Sequence, residues 1–170
     1  MNLREKIRNV PDFPQQGIDF KDITTLLKDG KAFRVAIDML SAHYQDKHID
    51  VVVGPEARGF AVGAPVAYVL GAGFVPIRKP GKLPAEIISY EYSLEYGKDA
   101  LEIHKDAIEP GSSVLIVDDL LATGGTTMAT VKMVERLGGK VAGLAFLIEL
   151  SFLNGRQVLA GYDINSLVQY

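Results

Sequence analysis

Val114–Thr127 reads VLIVDDLLATGGTT. Its first residues, Val114 to Val117, are a short apolar, β-branched run of the kind that forms a strand buried on both faces. Two adjacent acids follow, Asp118 and Asp119, and then a Gly-Gly pair flanked by threonines. Beyond them, apolar residues at Met128, Val131, Val134 and Leu137 predict a helix from about Thr126 to Leu137, which Gly138-Gly139 stops. Strand, turn and helix in that order are one unit of an open parallel sheet, and ligands collect at the carboxyl ends of such strands.

The same unit recurs on both sides. Ile49–Gly54 and Phe74–Ile77 read as short buried strands, and Val141–Ile148 as a longer one. Lys31–His48 carries Phe33, Ile37 and Leu40 at helical spacing, and Ala57–Leu70 reads as a buried helix. Alternating strands and helices predict an α/β fold with a mainly parallel central sheet flanked by helices. Two regions break the alternation. Asn9 to Lys28 is turn-rich around VPDFPQQG and then mixed, and Pro80 to Ile108 predicts a loop followed by a strand or ribbon projecting from the sheet.

At 170 residues and 48% hydrophobic content the chain is expected to form a single domain, residues 1–170. The net charge is −3 with no long basic run, which disfavours a nucleic-acid partner. There are no cysteines, so disulfides and thiolate metal sites are excluded, and the three histidines lack metal-binding spacing. Gly59–Ile77 is free of charge and about as long as a membrane span, but its glycines and Pro65 favour a buried helix and strand over a membrane segment. The first ten residues carry scattered charges rather than the apolar core of a secretory signal, so a cytoplasmic location is expected.

The acids and the glycine turn pose a chemical question, because one attracts cations and the other anions. Thr123, Gly124, Gly125, Thr126 and Thr127 offer hydroxyl and amide donors at a helix start, and the glycines admit an anion close to the backbone. A ribose 5-phosphate satisfies both halves: the phosphate takes the amides and the carboxylates accept from the ribose hydroxyls. Carboxylates there would also favour an oxocarbenium-like transition state at the anomeric carbon. A helix-capping Asp and a plain loop is the bland alternative, and it does not account for the ordered set. The stretch is neither a Walker loop nor a G-x-G-x-x-G turn.

VLIVDDLLATGGTT resembles the phosphoribosyl-pyrophosphate motif of the type I phosphoribosyltransferases, and its LLATGGT wording is similar to the adenine-using branch. The similarity continues through FPQQGIDFKDIT, VVGPEARGF, RKPGKLP, YSLEYGKDALEIHKDAIEPG and AFLIEL, nearly the whole chain. The resemblance implies the type I phosphoribosyltransferase fold, with residues 1–30 as an N-terminal hood that recognises the base and residues 80–108 as a lid loop and ribbon. It implies transfer of phosphoribosyl from phosphoribosyl pyrophosphate to adenine, yielding AMP and pyrophosphate, in a homodimer. Mg²⁺ is implied as a cofactor carried mainly by the pyrophosphate substrate, with no direct protein ligand.

Residue by residue, the resemblance assigns Asp118 and Asp119 to the ribose hydroxyls and Ala122, Thr123, Gly124, Gly125 and Thr126 to the 5′-phosphate. Arg58 becomes a pyrophosphate ligand on a loop that, in relatives, can hold a cis peptide, here Glu56-Ala57. Lys79 and Lys82 neutralise pyrophosphate. Phe20 stacks on adenine, and the backbone around Asp19 and Lys21 reads the ring edge. Glu95 handles the purine proton, beside Tyr96 in the lid. Asp19 departs from the apolar residue common in relatives. Three other readings explain parts of the pattern: a sibling enzyme for another base such as a 6-oxopurine, a catalytically silent sensor of phosphoribosyl ligands, and a receiver-like domain whose acids hold Mg²⁺.

Overall fold

The structure, a computed structural model, describes residues 1–94 and 97–170. Its centre is a parallel sheet. Among the described residues five strands build it: β3 (Val51–Pro55), β4 (Gly73–Ile77), β7 (Ser113–Leu121), β8 (Lys140–Glu149) and β9 (Ile164–Gln169), in the order β4-β3-β7-β8-β9. Every pairing in it is parallel. Val52, Val53, Leu115, Ile116 and Phe146 are fully buried or nearly so, as expected of central strands with both faces covered.

The helices α2 (Gly30–Ala42), α3 (Arg58–Leu70) and α4 (Gly125–Arg136) supply that cover. Asp29 caps α2 by accepting from the Lys31 and Ala32 amides, both at 3.1 Å. The helix stops six residues short of the predicted His48, at Ala42. Tyr44 is the reason: it is fully buried, fills the space that a side chain at Gly143 would need, and donates its hydroxyl to the Leu144 carbonyl at 3.0 Å. Helix α3 contains Pro65 and ends on Gly71 at φ +67°, and no described helix is long and apolar enough to cross a membrane.

The N-terminal segment holds an antiparallel pair, β1 (Arg8–Val10) with β2 (Phe20–Asp22), followed by the short helix α1 (Thr24–Leu27). The ribbon is a second antiparallel pair, β5 (Ile87–Leu94) with β6 (Gly97–His104). It is less exposed than the sequence suggests. Leu101 and Ile103 are buried, and Ile88, Tyr90 and Tyr92 pack from the alternate positions of β5 onto the same cluster as α4. The ribbon is therefore anchored at its root. Strand β9 was not expected, because INSLVQ is half polar; it lies at the sheet edge, where only one side needs to pair. The short helix α5 (Gly155–Val158) sits between β8 and β9.

Candidate functional site

Strand β7 runs on past its apolar stretch to Leu121, so Asp118 and Asp119 lie within the strand, followed by Leu120 and Leu121, rather than in a loop. Both line a cavity of about 430 Å³ at the carboxyl edge of the sheet, Asp119 buried and Asp118 half-buried. Asp118 Oδ1 accepts from the Asp119 amide at 2.8 Å. Burial, and after it the negative charge of Asp119, raises the Asp118 carboxyl well above the usual carboxylate range, against the pull of the Asp119 amide and Arg58. Wet contact through the cavity mouth and poor solvation within it are compatible.

The turn from β7 into α4 needs glycine at Gly124 for two reasons. Its φ is +87°, and a β-carbon there would stand 3.0 Å from the Gly155 carbonyl oxygen. Helix α4 then starts at Gly125, a residue earlier than predicted, and its first-turn amides have no intrahelical acceptors. Those amides and the hydroxyls of Thr123 and Thr126 line the same cavity as the two acids, and a cradle of such donors can take an anion.

A second loop closes the cavity from β3. The Glu56-Ala57 peptide is cis, as the resemblance implied. Arg58 opens α3, donates from Nε to Asp119 Oδ2 at 2.5 Å, and lays its guanidinium 5.2 Å from the Phe20 ring centroid. Phe20 also meets Phe13 edge-on at 5.2 Å. Glu56, also in the cavity wall, gathers three donors: the Lys79 amide at 2.6 Å, Lys82 Nζ at 2.8 Å and Arg78 Nε at 3.2 Å. Burial alone would push its carboxyl up, but Lys82, the Lys79 amide and Arg78 outweigh it and bring it down to about 2.

The ribbon supplies the third wall. Lys79 Nζ pairs with Asp99 on β6, Tyr92 donates to Asp99 Oδ2 at 3.2 Å, and the Tyr92 hydroxyl lies 3.4 Å from Thr126 Oγ1. A polar chain thus joins the Lys79 loop, the ribbon and the cradle.

Of the residues expected from sequence, Arg58, Lys79, Asp118, Asp119, Ala122, Thr123, Gly124, Gly125 and Thr126 all line this cavity. Phe20 stands behind Arg58. Lys82 is held by Glu56 rather than directed into the cavity. The Lys21 side chain turns away, donating to Asn9 Oδ1 at 2.7 Å and lying over Tyr170, which leaves only its backbone for base recognition. Glu95 and Tyr96 fall outside the described residues. Sequence reasoning missed Glu56, Tyr92 and Asp99. Tyr92 had a readable signal, the period-two row Ile88, Tyr90, Tyr92; Glu56 and Asp99 had none.

Comparison with known proteins gives one consistent answer. The Phosphoribosyl transferase domain family matches residues 22–157. The adenine phosphoribosyltransferase of Alkaliphilus metalliredigens is 68% identical over 170 residues, 100% of both chains. The crystal structure of adenine phosphoribosyltransferase from Thermoanaerobacter pseudethanolicus superimposes with a TM-score of 0.96 at 60% identity, over 99% of this chain and 98% of that one. That of the Saccharomyces cerevisiae adenine phosphoribosyltransferase, complexed with an imino-altritol bisphosphate and adenine, does so with a TM-score of 0.89 at 40% identity, over 95% and 94%.

Proposed function

The chain belongs to the phosphoribosyl transferase family, and from that premise we infer that it transfers phosphoribosyl from 5-phosphoribosyl 1-pyrophosphate to adenine, giving AMP and pyrophosphate in purine salvage. The observation that carries the reading is that two carboxylates, Asp118 and Asp119, line one cavity together with the Ala122–Thr126 loop. The names of relatives 60–68% identical to this chain choose the base.

In this reading the 5′-phosphate takes the α4 amides and threonine hydroxyls, and Asp118 and Asp119 accept from the ribose hydroxyls. Pyrophosphate lies toward Arg58 and Lys79. The bond from the anomeric carbon to pyrophosphate breaks as the bond to adenine N9 forms, and the N9 proton passes to Glu95. Positive charge spreads onto the ring between those events, and the nearby carboxylates stabilise it. Phe20 offers the aromatic face for adenine once Arg58 leaves it for the pyrophosphate. Residues 1–30 act as the base-recognising hood and residues 80–108 as lid and ribbon of a single domain.

Mg²⁺ fits as an ion brought in by the substrate. The acids at the cavity, Glu56, Asp99, Asp118 and Asp119, supply hard oxygen donors, but no group of three or more His, Asp or Glu converges on one point among the described residues. When bound, the ion neutralises pyrophosphate; Arg58 and Lys79 share that load. We propose a cytoplasmic homodimer; the exposed Tyr68 and Val69 on α3 are apolar surface that a second copy would cover. Sedimentation giving a monomer mass at working concentration removes the dimer.

The activity is tested by incubating purified protein with phosphoribosyl pyrophosphate, Mg²⁺ and each base in turn. Pyrophosphate release with adenine is expected. Turnover of guanine or xanthine with adenine untouched assigns the sibling reaction instead.

A further inference from the structure

The back of the phosphate cradle rests on a segment that no part of the mechanism uses. Leu150 donates its amide to the Leu121 carbonyl at 2.9 Å, so the chain leaving β8 runs beside the end of β7. It then turns through Asn154, at φ +55°, into α5. Gly155 is in backbone contact with the cradle: a β-carbon on it would collide with the Ala122 carbonyl oxygen and stand 2.9 Å from Leu121 Cδ1. Gly124 meets the same segment from the other side, at the Gly155 carbonyl and Val158. The two glycines are the contact through which the cradle and α5 fix each other's position.

Helix α5 has only four residues, too few to hold itself. Its anchor is Arg156. The guanidinium makes a bidentate pair with Glu149, Nε to Oε1 at 2.7 Å and Nη2 to Oε2 at 2.8 Å, on a carboxylate only 6% exposed. Ser166 on β9 completes the knot, donating to Glu149 Oε2 at 2.5 Å and accepting from Arg156 Nη2 at 3.1 Å. Glu149 in turn pairs with Leu121 in the strand register, so the acid stands beside the last residue before the cradle. The fork fixes direction as well as distance, which a lysine ammonium does not.

We propose that Glu149 and Arg156 are positioning residues for the phosphate cradle: their ion pair presses α5 against Ala122–Gly124 and so sets where the 5′-phosphate is held. The proposal rests on the reading of that loop as a phosphate site. Neither residue touches substrate; they act through Gly155.

The test is steady-state kinetics on the whole enzyme with both substrates varied, together with calorimetric titration of ribose 5-phosphate. Arg156→Lys keeps the charge and loses the fork. Its expected effect is a rise of about tenfold in KM for phosphoribosyl pyrophosphate and in Kd for ribose 5-phosphate, while kcat and KM for adenine move less than about twofold. Ser166→Ala, which removes one bond to each partner, should show the same split at about two- to threefold, and it stands in should Arg156→Lys not fold. Unchanged ribose 5-phosphate affinity in either folded variant, or a fall in kcat with both KM values unchanged, overturns the proposal. Wild-type protein that turns over adenine yet binds no ribose 5-phosphate overturns the cradle reading itself.

Discussion

A β-carbon placed on Gly59 would stand 2.9 Å from Asp118 Oδ1 and 3.0 Å from Pro55 Cδ. The second residue of α3 is thus shaped around an acid on β7, a strand that comes later in the chain. Gly59→Ala should force the carboxylate from its place, since the proline ring cannot yield. Crowding of this kind costs about 1–3 kcal/mol, so melting should fall by a few degrees while kcat/KM for phosphoribosyl pyrophosphate drops at least about tenfold. Calorimetry and initial rates on the one variant check both; a normal kcat/KM would show that the Asp118 position is not critical.

Asp118→Asn should make the protein more stable and less active. The folded carboxyl titrates above its unfolded value, so its stabilising share is full below the unfolded pKa and is lost as pH rises through the folded one. At pH 7.5 the fold carries that penalty, and asparagine removes it while its oxygen still accepts from the Asp119 amide. Tm should rise by about 2–4 °C for each kcal/mol recovered, and the gap from wild type should close near pH 3. Activity should fall with the loss of a carboxyl that accepts from the ribose hydroxyls in the proposed complex. A lower Tm at pH 7.5 contradicts the burial argument.

Glu56 runs the opposite way. Its carboxyl is lowered from 4.5 to about 2, so its contribution is present above about pH 4.5 and is lost as pH falls toward about 2. The shift corresponds to on the order of 3 kcal/mol. Denaturant unfolding of Glu56→Gln against wild type should show about that difference at pH 7, shrinking through this window. A difference independent of pH would locate the effect in packing instead.

Tyr92 ties the ribbon to Thr126 on α4 and bonds its cross-strand partner Asp99. Tyr92→Phe removes only the hydroxyl, and a lost hydrogen bond of about 1 kcal/mol should lower kcat/KM for phosphoribosyl pyrophosphate about fivefold. Rates unchanged within about twofold would show that the link plays no part in binding.

What the sequence made legible was local. Strand, acids, glycine turn and helix lie within one stretch, and each leaves a residue-type signature, so Asp118 through Thr126 could be placed before any coordinates. Partnerships across the fold left none. Arg58 and Asp119 are 61 positions apart, and that Lys82 serves Glu56 rather than the cavity follows from how β3 and β4 lie side by side. The overrun of α2 has the same origin: helical spacing continues past Ala42, and the fit of Tyr44 against Gly143 stops it. The resemblance supplied the hood and lid, and it supplied the assignment of Glu95, which no geometry here addresses.

The central claim is the seat of the sugar phosphate, and crystals soaked with ribose 5-phosphate test it most directly. The phosphate should lie against the Gly124–Thr127 amides with the 2- and 3-hydroxyls on Asp118 and Asp119, and Arg58 drawn off Asp119. Density for the ligand anywhere else, with Arg58 still on Asp119, would contradict it.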